Sequence, residues 1–242
     1  MNTRIEKLRN ESFNAEPCIC IERALLETAF YKENYGKYSM PVMRALTFKH
    51  LCEKKTIYLG DNELIVGERG PFPKAVPTFP ELTCHSAEDL RTLNNRKMTN
   101  FAISEEEIHT YEQDVIPYWQ GKSMRDRVFS QIPEEWQNAY GAGLFTEFME
   151  QRAPGHTALD GIIYEKGMLD FKREIRQTLD ALDYLNDQEA TDKAEELKAM
   201  EIACDAAILF AERHAALADA MAVSENEPKR KAELQKIARV CR

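Results

Sequence analysis

The side chains best suited to chemistry fall in one short run, Phe145-Thr-Glu-Phe-Met-Glu-Gln-Arg-Ala-Pro-Gly-His-Thr157, where Glu147, Glu150, Arg152 and His156 crowd around aromatics and a Pro-Gly break. Breaks of this kind often turn side chains into a pocket. A guanidinium such as Arg152 can hold a carboxylate through two parallel hydrogen bonds, and His156 can donate or accept near neutral pH. An interhelical ion pair and a buried histidine use the same residues, and on residue chemistry alone that structural reading leads.

Other reactive types are placed less favourably. Cys18 and Cys20 are one residue apart, and no second Cys or His pair stands at a zinc-ligand spacing. Cys84-His85 has the composition of a thiolate–imidazole pair, but neighbours in an extended chain point to opposite sides. Cys52 and Cys204 lie on apolar helical stripes, where a thiol acts as a small hydrophobe. His50, His109 and His214 sit on polar stretches and read as solvated or simply hydrogen-bonded. Gly67-Glu-Arg-Gly70 has two glycines and no dinucleotide pattern around it, so no phosphate loop is indicated. The runs Glu105–Glu107 and Glu195-Glu196 read as solvated helix faces.

The elements that must hold these residues are mostly helices. Apolar residues recur at helical spacing, as in Ile21, Leu25 and Ala29, with Gly36 as a terminator, and Ser39 with Pro41 opens the next helix. Ser86 with Asp89, Ser104 with Glu107 and Ser123 with Asp126 each set a hydroxyl three residues before a carboxylate, of which only Ser104 with Glu107 is the standard capping box. Pro133 starts a helix carrying Trp136 and Tyr140, until Gly141 and Gly143 loosen it. Phe171, Ile175, Leu179, Leu182 and Leu185 form one late stripe and Leu197, Met200, Cys204, Ile208 and Ala211 another, which predicts two long antiparallel helices. A last helix starts near Pro228 and runs through Leu234, Ile237 and Ala238. The one β signal is a short hairpin, Thr56–Leu59 and Glu63–Val66 around a Gly60-Asp-Asn turn, and the prolines at 71, 73, 77 and 80 predict an extended loop.

A chain of 242 residues with 43% apolar residues can bury a sizeable core, and its formal charge of -9 argues against nucleic acid as a partner. The first ten residues lack an apolar export segment, and Asp205 interrupts the longest weakly polar stretch, so a soluble protein without membrane contact is expected. Six irregularly spaced cysteines then favour reduced thiols and a cytoplasmic location.

A family match rests on particular residues. Asn14-Ala-Glu-Pro17, Ile21-Glu-Arg-Ala24, Pro41 with Arg44-Ala-Leu46, Glu63-Leu-Ile-Val-Gly67, Pro77-Thr-Phe-Pro-Glu81, Phe101-Ala-Ile-Ser-Glu105 and Ile116-Pro-Tyr-Trp119 resemble the start of pyruvate formate-lyase-like glycyl radical enzymes. The run Phe145–Thr157, together with Ala203-Cys-Asp205, is similar to the branch that dehydrates trans-4-hydroxy-L-proline to a pyrroline carboxylate using a protein radical in place of a metal.

The resemblance implies a mainly α fold with a short β-hairpin: the N-terminal helical part of an α/β barrel enzyme whose barrel core is missing. Residues 1–242 are then the N-terminal portion of one domain, with helical subregions of roughly 1–160 and 161–242. It implies that Phe148 and His156 line a substrate pocket, with Arg152 a neighbour carried over from the same motif. It also implies a hydroxyproline-like small-molecule substrate, a homodimer at full length, and a glycyl radical installed by a radical S-adenosylmethionine activating enzyme. The family's thiyl cysteine in a Gly-Cys-Val-Glu setting and its radical glycine in an Arg-Val-Ala-Gly-Tyr loop do not occur in these 242 residues, which carry no catalytic residue, cofactor ligand or metal ligand of their own. Since no helix stop precedes Arg242, the expectation is a truncated piece, inactive by itself. The alternatives are a non-catalytic helical docking module derived from such an enzyme, or a related glycyl radical diol dehydratase or formate acetyltransferase-like lyase.

Overall fold

The computed structural model describes residues 3–145 and 160–242. Among them the helices are α1 (Thr3–Asn14), α2 (Glu22–Asn34), α3 (Met40–Lys54), α4 (Ala87–Asn95), α5 (Glu105–Asp114), α6 (Ile116–Trp119), α7 (Met124–Phe129), α8 (Glu134–Gly141), α9 (Met168–Asp180), α10 (Ala190–Ser224) and α11 (Pro228–Cys241), with a 3-10 turn at Asp160–Tyr164. The mainly α reading holds.

The β-hairpin does not form. The described strands are β1 (Cys18–Cys20) and β2 (Ala75–Pro77), which pair in parallel with Ile19 opposite Val76. Residues 56–66 are instead an irregular bracket, and the cause is distant in sequence. Arg230 of α11 donates to the carbonyls of Gly60 (3.0 Å) and Glu63 (2.7 Å), while the Glu63 carboxylate folds back to accept from the Gly60 N–H. Those carbonyls are the acceptors a hairpin would need beside its turn. The proline-rich loop, in turn, is not wholly irregular, because Ala75–Pro77 becomes β2. Gly70 makes this possible: a Cβ there would meet the Ala75 Cβ at 2.5 Å.

Local capping chemistry accounts for many helix boundaries. Ser86 and Asp89 close a full capping box, as Ser104 and Glu107 do, so the shorter carboxylate serves equally well. Ser123 accepts from the Asp126 N–H, but Asp126 itself turns to the Gly121 N–H. Gly36 sits at φ +81, the left-handed geometry that ends α2 cheaply. Helix α9 stops at Asp180, short of the stripe drawn through Leu182 and Leu185, because Asp183 accepts from the Leu185 and Asn186 N–H groups and turns the chain.

Two cores result. The first gathers Ile19, Ala24, Tyr31, Met43, Leu90, Ile108, Tyr111, Val115 and Trp119 from β1 and α2 to α6. In the second, Ala215, Ala218 and Ala222 of α10 meet Leu234, Ile237 and Ala238 of α11, with Leu59 reaching in from the bracket. Helix α10, 35 residues and about 50 Å long, contributes to the second core near its C-terminal end and packs along α3 nearer its N-terminal end. Its small buried residues allow close approach to α3, with Ala199 against Val42 and Ala45. Ser39 bonds Glu195 and the Arg213 guanidinium bonds the Cys52 and Lys55 carbonyls, so α3 and α10 run parallel. Lys172–Asp205 and Arg176–Glu201 set α9 antiparallel to α10, as the late stripes predict. No described helix is long and apolar enough to cross a membrane.

Candidate functional site

Phe148, Arg152 and His156 lie outside the described residues. What the structure shows is the arm that precedes them in sequence. Helices α7 and α8 carry Phe129, Trp136 and Tyr140, which form a chain of ring contacts through Phe145: Phe129–Tyr140 at 4.9 Å and Trp136–Phe145 at 5.5 Å, both edge-on, and Tyr140–Phe145, tilted, at 5.9 Å between centroids. The Arg125 guanidinium lies 4.5 Å over Phe129 and bonds the Tyr140 hydroxyl at 3.3 Å. Such aromatic and cation–π contacts hold a short arm that buries little of its own surface.

The arm hangs from the loop after β2. The Met124 and Arg125 N–H groups, at the start of α7, donate to the carbonyls of Glu81 (2.8 Å) and Leu82 (3.0 Å). That loop is in turn gripped by Arg23 of α2. The Arg23 guanidinium makes a fork of bonds to the Glu81 carboxylate (2.6 and 3.1 Å), donates to the Thr78 carbonyl at 3.2 Å, and lies 4.1 Å over the Phe79 ring. One of its nitrogens also stands 2.7 Å from a carboxylate oxygen of Glu27, one turn further along α2, in an ion-pair contact that lacks hydrogen-bond alignment.

Glu27 is 3% exposed, and one arginine serves two acids. Burial first, and then the neighbouring Glu81 charge, push the Glu27 carboxyl up to about 8 despite Arg23 pulling it down, so Glu27 carries its proton at neutral pH. Next to it Thr28 is satisfied twice, donating to the Ala24 carbonyl (2.6 Å) and accepting from the Trp119 indole (2.8 Å). The inward face of α2 is therefore Ala24, Glu27, Thr28 and Tyr31, whereas Ala29, expected on the apolar stripe, is exposed. Glu27 opens onto a cavity of about 620 Å³ that is also lined by Arg44, Phe79, Lys122 and Arg127. Sequence reasoning missed this cluster; the Arg23-to-Glu27 spacing of one helical turn was its one local signal.

A larger, mainly apolar cavity of about 790 Å³ lies on the other side of Arg23, between α3, α10 and the 66–70 bend, with Cys20, Cys52, Phe210, His214 and Cys241 on its wall. His214 is buried, not solvated, and its Nδ1 donates to the Phe210 carbonyl at 2.8 Å. Burial raises all six thiols, Cys84 to about 11, so none is an ionised nucleophile at neutral pH. The Cys84-His85 pair is thus no thiolate–imidazole couple. Among the described residues no three His, Cys, Asp or Glu side chains converge as a metal site.

The Pyruvate formate lyase-like family model matches residues 1–242, and the chain belongs to that family. It corresponds to the N-terminal portion of such enzymes. A trans-4-hydroxy-L-proline dehydratase of Clostridioides difficile is 48% identical over 238 residues, covering 98% of this chain and 30% of that protein. The crystal structure of hydroxyproline dehydratase from Clostridioides difficile with trans-4-hydroxy-L-proline bound superposes with a TM-score of 0.92 over 98% of this chain and 30% of that one. The B12-independent glycerol dehydratase of Clostridium butyricum, glycerol-bound, follows at 0.90 and 33% identity, covering 100% of this chain and 31% of its own. The chain therefore spans about 30% of the length of the relatives it matches.

Proposed function

We propose that these residues are part of a glycyl radical dehydratase acting on trans-4-hydroxy-L-proline or a close analogue, in which they build the N-terminal helical scaffold and one wall of the substrate pocket. The observation that carries this reading is the 48% identity, spread over 98% of the chain, to a relative whose name states that reaction. The glycerol dehydratase is 33% identical, so the substrate reading leans on the nearer of the two. Phe148 forms an apolar wall beside the substrate ring, His156 bonds a polar group of substrate or a neighbouring acid, and Arg152 holds the carboxylate end.

The radical glycine and the thiyl cysteine belong to the part of the enzyme beyond these residues, and a radical S-adenosylmethionine activating enzyme installs the radical. By itself the 242-residue chain is inactive. In a complete, activated enzyme, His156→Ala and Phe148→Ala each lower kcat/KM for hydroxyproline by about 100-fold, equivalent to about 2.7 kcal/mol of transition-state binding, without reducing the radical signal. Unchanged kcat/KM in both variants contradicts the pocket assignment.

The second reading, a docking module without chemistry, draws on exposed apolar side chains such as Ile65 and Val240, which suit a covering partner. Under it, the chain captures the activating enzyme or a complementary polypeptide in a pull-down and supports no turnover in any assembly.

A further inference from the structure

The Arg23–Glu27–Glu81 cluster holds a junction that no catalytic reading uses. Arg23 and Glu27 stand on α2, Glu81 on the loop after β2, and the backbone of that loop at Glu81 and Leu82 supplies the two carbonyls from which α7 and its aromatic arm hang. We propose that these three side chains form a proton-dependent clamp, closed while Glu27 keeps its proton, that sets the position of the α7–α8 arm.

The geometry constrains the charge states. The guanidinium sets both terminal nitrogens on the Glu81 fork, and the one that contacts Glu27 spends its two hydrogens on the Glu81 carboxylate and the Thr78 carbonyl, so that nitrogen has none left for a second full negative charge. Glu27 is buried, and its contact oxygen is sealed from solvent with no aligned hydrogen bond. Ionising it sets two carboxylates against one cation, with Glu27 itself almost wholly withdrawn from water and Glu81 only partly exposed. The other titratable groups lining the cavity are Tyr31 on α2, Tyr35 just after it, Arg44 on α3, Tyr118 on α6, Lys122 ahead of α7 and Arg127 on α7. Tyr31 is buried, Arg44, Lys122 and Arg127 are exposed, and Arg23 is the cation in ion-pair contact with Glu27.

The raised Glu27 carboxyl fixes the direction. Its folded value, about 8, is above the ordinary 4.5, so the stability that the protonated form provides is complete below about pH 4.5 and is lost as pH rises through about 8. Loosening as pH rises toward 8 should appear first where the arm is attached.

Amide hydrogen exchange of the 242-residue chain, followed at Met124 and Arg125 from pH 6 to 9 and corrected for intrinsic rates, tests the clamp. The expected result is a protection factor that falls by up to about tenfold per pH unit as pH approaches 8 and then levels, and that stays flat in Glu27→Gln. In Glu81→Gln, where Arg23 is left to Glu27 alone, the break should move to lower pH. This second variant also decides the matter if Glu27→Gln fails to fold. A pH-independent wild type, the same slope in Glu27→Gln, or an unmoved break in Glu81→Gln overturns the proposal.

Discussion

Arg23 serves several partners at once: it joins α2 to a loop 58 residues away, covers a phenyl ring, and stands in contact with Glu27 one turn along its own helix. Removing one member of a mostly buried ion pair leaves the partners uncompensated, which costs about 3 to 5 kcal/mol. Arg23→Ala is therefore expected to lower the urea midpoint far more than Glu27→Gln, which keeps the shape and the neutral form. Thiol chemistry supplies a second expectation at this scale. Because burial and the Asp126 charge raise Cys84 to about 11, its alkylation at pH 8 should run well below that of a free thiol and climb until the pH approaches 11. A Cys84 that reacts at pH 7 as fast as a small-molecule thiol contradicts the buried placement.

At the scale of elements, the legible parts were those whose cause is local. The N-cap hydroxyls at Ser86 and Ser104, the Pro133 and Pro228 starts and the Gly36 stop were all readable, since hydroxyl, carboxylate, proline and glycine act within a few residues of themselves. The bracket at 56–66 was not, because the residue that decides it, Arg230, is 170 residues from Gly60 in sequence. Helix α2 misled for a related reason: the stripe through Ile21 and Leu25 was carried on to Ala29, which is exposed, while Glu27 and Thr28 are buried by partners distant in sequence. Arg230→Ala should strip the Gly60 and Glu63 carbonyls of their donor and cost about 2 kcal/mol, read as a lowered denaturation midpoint with faster exchange across 59–66. If the variant leaves both unchanged, Arg230 does not hold the bracket.

For the whole molecule, the mainly helical architecture and the family were legible from motif residues spread along the chain, and the candidate pocket was legible only as a motif. The segment carrying Phe148, Arg152 and His156 lies outside the described residues, while the aromatic arm that precedes it in the chain and the Arg23–Glu27–Glu81 cluster come from contacts no single stretch encodes. Surface composition adds an expectation for the isolated chain. Ile65 is 84% and Val240 74% exposed beside an apolar groove formed with Leu64, Val66 and Ile237. The chain should therefore self-associate as concentration rises, and Ile65→Glu with Val240→Glu should reduce this in sedimentation velocity. Monomeric behaviour of the unaltered chain at high concentration would show that the groove drives no association.

The central claim is that these residues belong to a radical dehydratase of hydroxyproline. The most direct measurement is anaerobic turnover by the enzyme that contains them, after treatment with a radical S-adenosylmethionine activating enzyme, with the organic radical followed by electron paramagnetic resonance and the product by mass spectrometry. The expected result is a glycyl signal accompanied by conversion of trans-4-hydroxy-L-proline to a pyrroline carboxylate with loss of water. A full glycyl signal with no loss of hydroxyproline, alongside turnover of a diol, would contradict it.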